Sequence, residues 1–439
     1  MVQATRFSLL CTILFAMNLA STPLEAYFTE PWPWSIRDVG LTSNSFDAFE
    51  NATAAYLHSL YNATTMADDV TCVRDRPTNT YAARFIMPLS FHVAPDDCFG
   101  QLVHVPGAYF YGPGLKRFMC SVLAAPNATA RSDLPSSRCQ HFLLASLPLV
   151  DVCAWFDPRR SDGNYDVYYG TVVLESAAWA WSKLVYRVVL TLYIGLVLWR
   201  DYYRHYIPLF ANLRDLGIIT PTSCHYDVVF GDPTCIVSSN VVISFGLYVD
   251  TLFGAGYMGV AILGVTQFHS VRLFVCGCLY CGRTVVCGLL AMQLVSIYVN
   301  RYGNKAAFAS VDPAILTIAA NVYGGSFIIL CAMTPVMVLF HQLWSWLIPT
   351  NLAYEAVDCL PSMLSSALAL ASVPIGCSCA MQGWAARQQR HHKKAFTLDR
   401  YGHASFNDMK MKVVHWLDKA SSLSVDGGSV YRLYDANPR

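Results

Sequence analysis

Charge is scarce in this chain. Only 13% of its 439 residues are Asp, Glu, Lys or Arg, against about 25% in an ordinary soluble domain. Hydrophobic residues make up 54%, and mean hydropathy is +0.36. A surface with half the usual charge does not keep a fold of this size in water, and the same apolar excess excludes intrinsic disorder. An excess of one sign is also lacking. Thirty Lys+Arg against 29 Asp+Glu leave a net +1, without the basic balance a nucleic-acid partner requires. GxxxxGK[ST], HExxH, GxSxG and the dinucleotide-binding glycine fingerprint are missing too. The sequence therefore points to no enzyme class, no cofactor and no metal.

What is present begins with an address. Arg6 is the only charge in the first 24 residues, and the apolar run Phe7 to Ala20 ends in Ala20-Ser21-Thr22-Pro23. This is the layout of a secretory signal peptide, with cleavage after Ala20 or Ala26. An uncleaved anchor helix is the alternative. The leader is bounded at residues 1–26.

Residues 27–176 read as a luminal or extracellular domain. The three Asn-x-Thr sequons of the chain, at Asn51, Asn62 and Asn127, all lie here and mark N-glycosylation sites. The segment holds 10 Lys+Arg and 15 Asp+Glu, a net −5. Its five cysteines, Cys72, Cys98, Cys120, Cys139 and Cys153, have loop-like spacings that read as disulfides in an oxidising compartment. Five leaves one unpaired. Cys359, in a later loop on the same side, makes six, so three bridges are expected, one of them reaching Cys359, with an intermolecular bridge as the alternative. Ser45–Tyr61 has helical spacing, and Phe85–Val93 and Tyr168–Leu174 read as strands. Exposed aromatics in Pro31-Trp32-Pro33-Trp34 would suit a binding surface, or form local core.

The remainder breaks into long apolar stretches, and about 20 helical residues cross the hydrocarbon of a bilayer. Five spans are expected: Ala178–Trp199, Val241–Gly264, Leu273–Val299, a fourth from Ala314 to about Thr334, and Leu360–Met381, which carries Pro374. Lys and Arg then gather in loops 200–240 and 300–313 and in the tail, which opens with Arg387, Arg390, Lys393 and Lys394. Loops 265–272 and 349–359 hold one and none. That bias puts the C-terminus in the cytoplasm. The fold class expected is a mixed α/β luminal domain followed by an α-helical transmembrane bundle of about five spans (177–382) and a basic cytoplasmic tail (383–439). The location is the plasma membrane or an endomembrane.

The strings Tyr193–Tyr206 (YIGLVLWRDYYRHY), Gly231–Cys235 (GDPTC), Cys278–Arg283 (CLYCGR) and Val311–Pro313 (VDP) resemble uncharacterised multi-pass membrane proteins of oomycete type. The resemblance covers residues 193–313. It implies membrane location and assigns no activity and no functional residue.

Charges within spans are costly and ask for a role. Arg187, Asp250 and Arg283 stand out. At 1.5 Å per residue Asp250 lies roughly 15 Å above the inner edge, Arg187 roughly 18 Å and Arg283 roughly 24 Å, so Arg187 is the better level match for Asp250, and Arg283 could reach down to it with its long side chain. The pair either fixes helix register or lines a proton or ion pathway. Cys276, Cys278, Cys281 and Cys287 fall on opposite faces of one helix and read as packing thiols. Cys377 and Cys379, beside the basic run, are candidate palmitoylation sites. Two function classes remain. A surface interaction or receptor-like protein, with membrane lipid and an extracellular protein or glycan as partners, is favoured because about 150 residues lie outside. A channel or transporter using the three charges is the alternative.

Overall fold

The computed structural model describes residues 17–18, 20–37, 45–66, 70–87, 98, 105, 107–125, 128–158, 164–205, 207–208, 225–229, 236–237, 240–266, 270–302, 334, 339, 343, 346, 350–351, 355–391 and 430–434. The fourth expected span, apart from Thr334, lies outside these residues.

A seven-stranded sheet is built from five strands of the first half of the chain and two short strands from much later. Its strands are β1 (Cys72–Asp75), β2 (Thr80–Met87), β3 (Ser137–Leu144), β4 (Leu147–Pro158), β5 (Tyr165–Val173), and two short late strands. The order is β1-β2-β5-β4-β3, then the late pair. Alternation along β4 divides its side chains between the two faces, as a pleated strand requires. Val152, Ala154 and Phe156 enter one core, and Cys153 and Trp155 enter the other. Both faces are covered, so all nine residues of the inner strand β5 are buried. Helix α1 (Phe46–Leu60) closes one face with Phe49, Thr53 and Leu57, spaced four apart, and Ser45 caps it by accepting from the Ala48 amide. Helix α2 (Pro113–Ala124) covers the other face with Leu115, Phe118, Met119 and Val122. The short helix α3 (Ala128–Ser132) follows it.

Among the described residues, three helical segments are long and apolar enough to cross a membrane: Ala177–Tyr203, Val271–Val299 and Met363–Ala380. The first contains α4 (Ala177–Leu198), which follows β5 almost directly and is capped by Ser176. Val185, Val189, Leu192 and Leu196 form an uncovered apolar stripe along it. Trp179 and Trp181 sit in its first turns, and Trp199, Tyr202 and Tyr203 at its end. The separation of about 18–20 residues gives roughly 30 Å, the thickness of the hydrocarbon layer.

The second expected span, Val241–Gly264, is not one straight helix. It consists of α5 (Val241–Phe253) and α6 (Ala255–Val265), bent by 75°. The bend falls at Gly254, where an added Cβ would stand 2.3 Å from the Tyr280 hydroxyl. Beyond it, α6 leaves the direction of α5 and packs on the sheet, sending Tyr257, Val260, Ala261, Leu263 and Val265 into the core shared with β4 and β5. Helix α7 (Val271–Gly282) folds back against α6, with Gly277 close to the Ala261 carbonyl. A turn at Arg283–Thr284 leads to α8 (Val285–Tyr302). Counting α5–α6 as one span, the described residues hold up to four. Helix α9 (Leu360–His391) runs on through Pro374 and through the boundary drawn at residue 382.

Two pairings join distant parts of the chain. His225–Val229 (β6) pairs antiparallel with Val430–Tyr434, linking the loop after α4 to the C-terminal tail. Thr350–Asn351 (β7) and Ala356–Asp358 (β8) extend the main sheet, β8 running parallel to β3. Glu355, at φ 44°, aligns this edge. Its carbonyl accepts from the His141 amide, and its carboxylate meets Arg138 at 3.3 Å. The same carboxylate lies in the space a side chain at Gly114 would need, at the start of α2.

Candidate functional site: a buried ionic junction

The charges singled out within the spans meet where the sheet, the helices and the N-terminal segment converge. In the N-terminal segment, Leu24–Phe28 forms a 3-10 turn, and the amides of Thr29 and Glu30 both donate to the Ala26 carbonyl at 3.1 and 2.9 Å. That turn aims Glu30 inward, where it is 1% exposed. Its carboxylate accepts from Lys183 Nζ at 2.7 Å, from both terminal nitrogens of Arg187 at 2.8 Å, and from the Tyr280 hydroxyl at 2.7 Å. Arg187 Nε donates to Asp250 Oδ1 at 2.7 Å. Arg283 donates to the second oxygen of Asp250 and stands 3.8 Å from Glu30. Lys183 also donates to Glu175 at 2.8 Å and lies over the Tyr257 ring. The Tyr257 hydroxyl accepts from Asn79 in the β1–β2 turn.

Three carboxylates thus balance three cations inside a low-dielectric interior. Arg187 is fully engaged by two acids with all three of its guanidinium nitrogens, the planar fork for which arginine is suited. Such a cluster is weak evidence for net stability, because removing charges from water costs about what their attraction returns. It does set arrangement, since any one partner left alone would be a buried unpaired charge. Burial opposes ionisation of Glu30. Arg187, Lys183 and Arg283 together outweigh that cost and hold its carboxyl below the ordinary carboxylate range.

Depth along straight helices favoured Arg187 as the partner of Asp250, with Arg283 within reach as the alternative. The structure places Arg283 on Asp250 as well. The bend at Gly254 and the turn at Arg283–Thr284 break the straight-helix count, bringing both residues to one level. Glu30, Lys183, Glu175 and Tyr280 were missed by the reading of the spans. The available signals were Glu30, a lone acid within an aromatic, proline-rich segment, and Lys183, in the first turns of an apolar helix.

The other expected sites are spread over the fold. Asn51 is exposed on α1. Asn62 follows that helix, and its side-chain oxygen accepts from the Thr64 hydroxyl and amide. Asn127 lies outside the described residues. Among the described residues two disulfides are present, Cys98–Cys120 and Cys139–Cys153, the second joining residues directly opposite on β3 and β4. The third bridge, to Cys359, is not. Cys72 and Cys359 are free thiols. Cys72 lies on β1 at one edge of the sheet, and Cys359 lies just beyond β8 near the other. Five strand spacings put them roughly 24 Å apart, and a disulfide tolerates no more than about 7 Å between Cα atoms. The loop is pinned to the sheet by hydrogen bonds instead, including Cys359 N to Leu143 O at 2.8 Å. Cys377 and Cys379 are exposed on α9. No protein-family model matches the chain, and no curated protein or solved structure matches it.

Proposed function

We propose that this is a multi-pass membrane protein of the secretory route. Its sheet domain faces the lumen or the cell exterior as a receptor-like or adhesive surface, with a protein or glycan as ligand. The observation that carries the reading is the junction itself. The charges that a transport pathway would use are consumed in joining domain to helices, and Glu30 is held ionised, which suits a rigid coupling and not a proton carrier. The channel or transporter reading is therefore second.

Strand pairing supports the side assigned to each loop. Loop 349–359, on the outer side by charge, contributes β8 to the outer domain. Loop 200–240 and the tail, both on the inner side, pair with each other. Kinship with multi-pass proteins of oomycete type, glycans at Asn51, Asn62 and Asn127, and acylation of Cys377 and Cys379 belong to the same proposal. Reconstitution tests the function. Proteoliposomes of the full chain should pass ions and protons no faster than protein-free vesicles. Chemical cross-linking on intact cells should capture a surface protein or glycoconjugate through the sheet domain. A flux abolished by Asp250→Asn would replace this reading with the transporter.

A further inference from the structure

The leader has two possible cleavage points, and the structure separates them. Ala26 is wholly buried, in the same core as Tyr81, Tyr169 and Tyr280. Its carbonyl is the acceptor that turns Thr29 and Glu30 into place. Hydrolysis after Ala26 would remove that acceptor and leave a new ammonium on Tyr27. Tyr27 is 5% exposed, with the Arg187 guanidinium 4.9 Å over its ring. A fourth cation would then join Lys183, Arg187 and Arg283 against three carboxylates, without water to screen it. An uncompensated charge in such surroundings is strongly destabilising.

The bond between Ala20 and Ser21 lies in a different setting. Met17 and Asn18 are exposed, and the chain becomes buried only from Pro23. Among the described residues, departure of the leader breaks hydrogen bonds that lie at the surface, from Asn18 to Glu25 and from Ser21 and Thr22 to the Asn18 carbonyl, and takes the half-buried Ala20 from the edge of the cluster around Leu190 and Ile194. Water can replace each of those partners. Ala20 places a small residue before the scissile bond, as Ala26 also would, so burial and not residue type separates the two.

We propose that processing takes place between Ala20 and Ser21, and that residues 21–30 stay in the mature protein as the wedge that seats Glu30. Water adds across the peptide bond, Ala20 departs as a carboxylate, and Ser21 gains the α-amino group. This rests on the secretory reading above, and the test keeps the two apart. The full chain is purified from a eukaryotic membrane, its N-terminal peptide is identified by amine labelling and mass, and its glycans are mapped in parallel. A Ser21 start is the expected result, and Ala20→Leu should move the start to Met1. A Tyr27 start, or a start unmoved by Ala20→Leu, on a chain glycosylated at Asn51 or Asn62 overturns the inference and leaves the secretory reading standing. A Met1 start in the wild type overturns it too, and does the same to the secretory reading if the chain also lacks glycans.

Discussion

Glu30→Gln is the sharpest perturbation of the junction, because it keeps shape and removes one charge. The wild-type carboxylate takes four hydrogen bonds, from Lys183, Tyr280 and twice from Arg187. The amide oxygen of glutamine would keep part of these, while its NH2 group would face the donors of Lys183 or Arg187. Three cations would remain against Asp250 and Glu175. Breaking a buried pair by removing one partner costs about 3–5 kcal/mol. For a domain of this size each kcal/mol moves the midpoint about 2–4 °C, so the variant should melt roughly 6–20 °C below wild type. Intrinsic fluorescence of the detergent-solubilised full chain reads the transition. Asp201→Asn is the control, since the Arg200–Asp201 pair is 60% and 37% exposed, and exposed pairs contribute only about 0–1 kcal/mol. If Glu30→Gln melts with the Asp201→Asn control, the junction does not hold domain and helices together.

Acid should erase the difference. Glu30 has its pKa lowered on folding from an ordinary 4.5, so its contribution is complete above that value and is lost as pH falls toward the folded one. The gap in melting temperature between wild type and Glu30→Gln should narrow below pH 4.5, and a gap that widens there contradicts the assignment. The charge swap Arg187→Asp with Asp250→Arg should not restore folded yield by size-exclusion chromatography. The new carboxylate at position 187 would face Glu30, and the new guanidinium at 250 would face Arg283; efficient rescue would mean that Asp250 and Arg187 act as an isolated pair. Non-reducing peptide mapping should find Cys98–Cys120 and Cys139–Cys153, with Cys72 and Cys359 as slowly alkylated thiols. Burial pushes the Cys359 thiol up to about 12, and a peptide joining Cys72 to Cys359 would refute this arrangement.

The parts legible in the sequence are those with a period. Helix α1 follows from the spacing of its apolar residues, and α4 from an apolar run between tryptophans. Asp250 and Arg187 were matched by depth alone. Strands β3 and β4 were missed for two reasons. Their hairpin turns at Ala145–Ser146, both at positive φ, without the Asn-Gly or Gly-rich signature of such turns. Residues Asp151–Phe156 of β4 are buried on both faces, so the polar–apolar alternation that announces a strand is absent. The bend at Gly254 has a chemical cause far off in sequence, since Tyr280 and Glu30 occupy the space beside that glycine. Strand β8 is three residues long, too short for any pattern. Glu30 acquires its meaning only from partners more than 150 positions away.

The edge strand β8 also sets an order of events during synthesis. Arg138 and Glu355, which meet across that edge, are 217 residues apart. At about 5–20 residues per second of translation, the first strands of the sheet wait roughly 10–40 s for their last neighbour. Until then β3 presents an open hydrogen-bonding edge, the kind that draws aberrant pairing. On the membrane reading proposed above, the sheet is completed only after the intervening apolar segments have been threaded into the bilayer and residues 350–358 delivered to the same side. On that reading, correct threading is recorded in the finished domain, because a chain inserted with the wrong number of crossings would hold β8 behind the membrane and leave that edge exposed to chaperones.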